Sequence, residues 1–207
     1  MKKYVITISR QFGSMGRSIA QELSERLAVP FYDRDIVEET AKRMALPVSV
    51  ISDEEEMSKS IYFKRKYPLG MGIPNLQDEI FLVQKNVILD MVERESCIIV
   101  GRCADSILKD FENKLCIYIY APYEARYENC ITQLGMDEAT AERMIREVDK
   151  SREQYHRRYC QGYVNEMSNK DILLNSSFFG ISGTAEVLEK IARRHFGSNA
   201  EQDEDFH

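Results

Sequence analysis

The stretch that most constrains this chain is YVITISRQFGSMGRS, residues 4 to 18. Tyr4, Val5, Ile6, Thr7 and Ile8 make a β-branched and aromatic run that stops at Ser9. A loop with Gly13 and Gly16 follows, and a helical pattern begins near Arg17 and Ser18. Strand, glycine loop, helix suits phosphate, because glycines let backbone N–H groups turn into the loop and the helix N-terminus adds partial positive charge. Set against G-x-x-x-x-G-K-[ST], Gly16, Arg17 and Ser18 take the last three fixed positions, while Gln11 stands at the first glycine and Arg17 at the lysine. A guanidinium grips phosphate through a bidentate fork, whereas lysine follows a moving phosphoryl group as a compact point charge. The same spacing also suits a plain tight β-α turn.

With 207 residues, 43% hydrophobic and 30% charged, the chain has the size of one α/β domain with room for a helical insertion. A net charge of −6 argues against general nucleic-acid binding, so any basic cluster carries information. The five cysteines, Cys97, Cys103, Cys116, Cys130 and Cys160, form no C-x-x-C pair, and their odd number suggests reduced thiols. His156, His195 and His207 are far apart, without zinc spacing or the pattern of a nucleophilic triad, so no metal site is expected from spacing alone. The sequence contains no signal peptide and no apolar run of membrane-spanning length, and the cytoplasm is the expected compartment, with no membrane or nucleic-acid partner.

Along the chain, Ile19, Leu23 and Leu27 repeat at helical spacing, and Phe31-Tyr32 reads as a short strand delivering Asp33 to the start of a second helix. Asp33 suits either a helix cap or a ligand contact at the sheet edge. Residues 45 to 75 mix acidic, basic and aromatic residues and suit a substrate-covering segment or a solvated insertion. A long helix is predicted from Leu76 to about Glu95, then a buried strand from Cys97 to Val100 ending in Gly101-Arg102. An arginine placed there needs an anion, from a ligand or from a carboxylate such as Asp105. Lys114 to Tyr120 predicts a central strand, Tyr123 to about Leu134 a helix, and Asp137 caps a helix to about Tyr159. On that helix Arg143, Arg146, Lys150 and Arg157 share one side and Met144, Val148, Tyr155 and Tyr159 the other, so the basic stripe is either a phosphate-covering surface or a salt-bridged, solvated one. Arg152 falls off the stripe, and an interruption near Asp149 to Arg152 would let both face one ligand. A last strand at Asp171 to Asn175, a loop at Ser176 to Gly180 and a helix from Gly183 to His195 precede an acidic tail expected to be disordered.

Strands and helices in this order predict a three-layer α/β/α domain with a parallel sheet of about five strands. ITISRQFGSMGRSIA, VPFYDRDIVEE, IIVGRCAD, Asp149-x-x-Arg152 and DILLNSS together resemble the cytidylate kinase-like family, relatives of bacterial cytidylate kinase among the nucleoside monophosphate kinases. The resemblance implies a P-loop NTPase fold over residues 1–197, with a helical insertion at about 45–95, a helical lid at about 137–165 and a tail at 198–207. It implies that Gly13, Ser14, Gly16, Arg17 and Ser18 hold the phosphates of ATP, with Ser18 on Mg²⁺. Arg102 would contact the acceptor nucleotide, Asp149 and Arg152 would serve the acceptor and lid, and Asp33 would be a weaker acceptor or metal contact. Arg17, Arg102 and Arg152 would neutralise charge during transfer. Val100 and Cys103 replace the Asp residues that flank the Gly-Arg of bacterial cytidylate kinase, and Glu39 stands where an arginine follows the Asp33 position. The implied activity is ATP-dependent phosphorylation of a nucleoside monophosphate such as CMP or dCMP; the alternative is a nucleotide-binding sensor without turnover.

Overall fold

The computed structural model describes residues 2–51, 76–160 and 167–202. Strands β1 (Val5–Arg10), β2 (Phe31–Tyr32), β3 (Cys97–Val100), β4 (Lys114–Tyr120) and β5 (Ile172–Asn175) form one parallel sheet in the order β2-β3-β1-β4-β5. Its first strand lies in the middle, with Ile6 opposite Ile98 on one side and Leu115 on the other. Burial on both faces explains the near-continuous apolar run of β1. Ile6, Ile8, Ile98, Val100, Ile117 and Ile119 face a core completed by α1 (Gly16–Leu27) and α7 (Ser176–Gln202). Val5, Cys97 and Ile99 face the other core, against α2 (Arg34–Met44) and α3 (Leu76–Arg94). Alternate residues of each strand thus feed opposite layers, which gives the expected three-layer sandwich.

α4 (Ala104–Ile107) follows β3, and α5 (Tyr123–Thr132) and α6 (Glu138–Cys160) follow β4. Asp137 caps α6 as expected, its carboxylate accepting the Thr140 N–H at 2.9 Å. Three expectations fail. The helix from Glu138 to Cys160 is uninterrupted, without a break at Asp149 to Arg152. Ser176 to Phe179 form a helical turn rather than a loop, and Gly180, non-helical at φ 66° and ψ −170°, kinks the chain between that turn and the rest of α7. The helix also continues to Gln202, into the segment expected as a disordered tail. The aromatic and basic part of the insertion, residues 52–75, and positions 161–165 of the expected lid lie outside the described residues.

Candidate functional site

β1 ends at Arg10, and the chain turns through Gln11 to Met15 before α1 begins at Gly16. Gly13 has φ +76°, and a Cβ there would meet the Arg126 carbonyl oxygen at 2.7 Å, so position 13 needs glycine on both counts. Met15 also sits in the left-handed region, at φ 57°, a conformation that costs a side-chain-bearing residue on the order of 1 kcal/mol. The loop is fastened from all sides. Gln11 accepts the Ala121 N–H through Oε1 at 3.1 Å, which gives the residue at the first glycine position a structural task. Asn129 donates to the Gly13 carbonyl at 2.9 Å, and the Ser176 hydroxyl to the Ser14 carbonyl at 2.8 Å. Ser14 is buried, its hydroxyl donating to the Gln11 carbonyl at 2.9 Å, so it braces the loop from beneath.

Beside this loop, at the carboxyl ends of β1, β2 and β3, lies a cavity of about 910 Å³. That volume falls in the range of small-molecule sites. Five arginines (Arg10, Arg17, Arg34, Arg102 and Arg152) line it against three carboxylates (Asp33, Glu38 and Glu147). Asp33 is buried at the N-cap position of α2 but makes no capping bond. Its carboxylate instead accepts from Arg17 Nε at 2.7 Å and lies 3.8 Å from Arg10. Arg17, expected on phosphate, therefore turns from the loop to the end of β2. Arg152 donates to the Arg10 carbonyl at 3.1 Å and lies over the Phe12 ring.

Arg102 lies in a run of three left-handed residues, Gly101 (φ 77°), Arg102 (φ 56°) and Cys103 (φ 55°). A Cβ on Gly101 would collide with the Arg10 guanidinium, so glycine there lets Arg10 lie against the backbone. The carboxylate of Asp105, expected as a possible partner of Arg102, accepts from Lys170 and stands 3.4 Å from His156 Nε2.

Arg10 is the residue the motif reading missed. Burial, followed by the nearby charge of Arg152, pushes its guanidinium down to about 9, with Arg102 and Arg17 adding to the effect and Asp33 opposing it. Burial also pulls Arg152 down, with Asp149 and Asp33 opposing. These guanidinium groups stay protonated at neutral pH, and the cost of gathering them is relieved by an anion. Asp149 sits elsewhere: it accepts the Phe12 N–H at 2.7 Å and pairs with Arg126, tying α6 to the glycine loop. Ser18 lines a separate depression with Gln21, Glu22 and Ile181. The stripe of Arg143, Arg146, Lys150 and Arg157 is exposed, and Arg157 pairs with Glu153. The side of α6 that lines the cavity carries Met144, Glu147, Val148, Ser151, Arg152 and Tyr155, so Met144, Val148 and Tyr155 from the side opposite the stripe face the cavity while the basic stripe faces solvent.

A parallel sheet in this order, with a glycine loop leaving the central strand and cations at the sheet's carboxyl edge, is the fold of P-loop kinases. The chain belongs to the cytidylate kinase-like family, whose model matches residues 5–178. An uncharacterized protein from Eubacterium ventriosum is 26% identical, with a TM-score of 0.69 over 92% of this chain and 98% of that one. Shikimate kinase from Bacteroides thetaiotaomicron superposes with a TM-score of 0.53 at 11% identity, over 91% of this chain and 97% of that one. A gluconokinase from Sinorhizobium meliloti gives 0.51 at 11% identity over the whole of both chains. At such identities these two speak for the fold alone. No curated protein matches the sequence. Family and fold together suggest a phosphotransferase.

Proposed function

We propose that the protein transfers the γ-phosphoryl group of ATP to a nucleoside monophosphate of the CMP or dCMP type. The observation that carries this reading is the gathering of Arg10, Arg17, Arg102 and Arg152 around one cavity beside a glycine loop. The loop offers donors to the phosphates of ATP, because the first turn of α1 begins with amides that have no intrahelical acceptor. Among the described residues the carboxylates form no group that could cage a cation. Mg²⁺ would thus be carried largely by the nucleotide's phosphates, in keeping with its reluctance to shed water, and Asp33 is the oxygen donor the cavity could add, since Ser18 faces a separate depression. When bound, Mg-ATP supplies the transferable phosphoryl group and the metal charge that offsets its oxygens.

In this scheme the protein positions and neutralises. Arg10 and Arg152 mark where the transferring charge would sit, Arg102 reaches the acceptor phosphate, and Asp33 holds Arg17 until a phosphate competes for it. A coupled ADP-release assay across nucleoside monophosphates, run beside a thermal-shift measurement with Mg-ATP, tests the reading. Turnover with CMP or dCMP, weakened toward the acceptor by Arg102→Ala, is expected. Binding of Mg-ATP without turnover on any monophosphate would identify a nucleotide sensor instead, and absence of binding would overturn both.

A further inference from the structure

Three side chains that the proposed reaction does not use meet at one wall of the cavity. His156 and Cys160 are four residues apart in the last turns of α6, hence on one helix face. The left-handed turn after β3 brings Cys103 against them. The donor atoms of Cys103, His156 and Cys160 all lie within 4.8 Å of one another. Cys103 and His156 are buried and line the cavity, while Cys160 is half-buried. Sequence spacing does not reveal this group, because the third donor arrives through the fold rather than through a local motif.

Zinc holds thiolate at about 2.3 Å and imidazole at about 2.0–2.1 Å, which sets neighbouring tetrahedral ligands roughly 3.5–3.8 Å apart. Drawing the three donors in by about 1 Å, a matter of side-chain rotation, satisfies that geometry. A second observation points the same way. Asp105 Oδ2 stands 3.4 Å from His156 Nε2 and is itself held by Lys170, the carboxylate–histidine pairing that orients metal-binding imidazoles. The charges also balance. Asp105 and Lys170 cancel each other, and a divalent ion against two thiolates leaves the buried site neutral. Two sulfurs and a nitrogen, without an oxygen among them, select a thiophilic cation over Mg²⁺ or Ca²⁺.

We propose that Cys103, His156 and Cys160 bind a divalent cation of the zinc class, with the fourth coordination place open to the cavity. The ion would clamp the end of α6 to the loop carrying Arg102. Binding requires two thiolates and a neutral imidazole, so it releases whatever protons Cys103, His156 and Cys160 carry beforehand.

Cobalt titration of the reduced, full-length protein tests this. One equivalent of Co²⁺ should give thiolate-to-cobalt charge-transfer bands with the strong visible bands of a tetrahedral site, and one equivalent of Zn²⁺ should abolish them. Cys103→Ser and Cys160→Ser should lose the charge-transfer intensity, Cys97→Ser and Cys130→Ser should keep it, and Asp105→Asn should weaken affinity by about 10–100-fold. A measurement needing no variant supports these: Zn²⁺ should protect Cys160 from a thiol reagent that modifies it in metal-free protein. Absence of charge-transfer bands in the fully reduced protein, an unchanged spectrum in folded Cys160→Ser, or thiol reactivity indifferent to Zn²⁺ would overturn the proposal.

Discussion

Arg10 sits at the last position of the central strand, where a run buried on both faces delivers a guanidinium to the sheet's carboxyl edge. Its stem lies against Gly16, whose Cβ, if present, would meet the Arg10 Cβ at 2.7 Å, and its head lies among three further arginines with Asp33 as counter-charge. Arg10→Met keeps the stem and removes the charge that its neighbours resist. The fold should therefore change by no more than about 1 kcal/mol, while phosphate-ligand affinity should fall by the ~1.5–3 kcal/mol of a charged hydrogen bond, or roughly 10–150-fold. Calorimetric titration with a nucleotide and urea unfolding of the same variant separate the two effects; a collapse in stability with affinity intact would mark Arg10 as structural. Arg17, Arg102 and Arg152 were legible in the sequence because each follows a recognisable turn or motif. Arg10 was not, since a charge ending an apolar strand has no pattern until neighbouring strands bring Gly101 and Asp33 beside it. Asp33 was legible as one of two alternatives, and its carboxylate makes no capping bond and lines the cavity instead.

At the scale of elements, periodicity located all five strands because β-branched runs flanked by turn residues leave little choice in a parallel sheet. For α6 it left both roles of the basic stripe open, because helical spacing tells which residues share a side but not which side meets the protein. The amphipathic side of α6 is shared between packing and lining: Ala141 and Ile145 join Cys130 in a small core, Tyr159 stacks on Phe81 at 4.0 Å, and Tyr155 donates to Gln84 at 3.0 Å. The solvent-facing stripe should then matter little. Replacing Arg143, Arg146 and Lys150 together by Ala should leave nucleotide affinity within about twofold at physiological salt, where exposed charges are screened. A loss of tenfold or more in the titration would show that the stripe does reach the ligand. The segment before β5 is tied down differently, by Lys170 on Asp105, both nearly inaccessible. Lys170→Met would leave the buried Asp105 carboxylate with His156 alone beside it and should cost up to about 3–5 kcal/mol in urea unfolding, with Asp105→Leu recovering part of it in the double variant. Equal stability of the single variant and the native chain would contradict this.

For the molecule as a whole, the cavity gathers positive charge from the ends of β1 and β3 and from α1, α2 and α6, segments that only the folded chain brings together. Their repulsion is a cost of folding that the unfolded chain does not bear, and Asp33, shared between Arg17 and Arg10, offsets only part of it. Multivalent phosphate should consequently stabilise this protein beyond any general salt effect. At constant ionic strength, low-millimolar pyrophosphate should raise the melting temperature more than orthophosphate, and orthophosphate more than chloride, because successive oxyanions can engage the loop amides and the arginines at once. A ligand present at 100 times its dissociation constant adds about 2.7 kcal/mol. For a chain of this size each kcal/mol is worth roughly 2–4 °C, so a shift of roughly 5–10 °C is expected at saturation. The ordering should vanish in Arg10→Met, Arg152→Met, whereas a Hofmeister effect on the whole surface would survive it. Differential scanning calorimetry decides between these outcomes: an identical rise in the double variant would show that the stabilisation does not come from the cavity, and no rise in the native protein would show that its arginines are already satisfied without an anion.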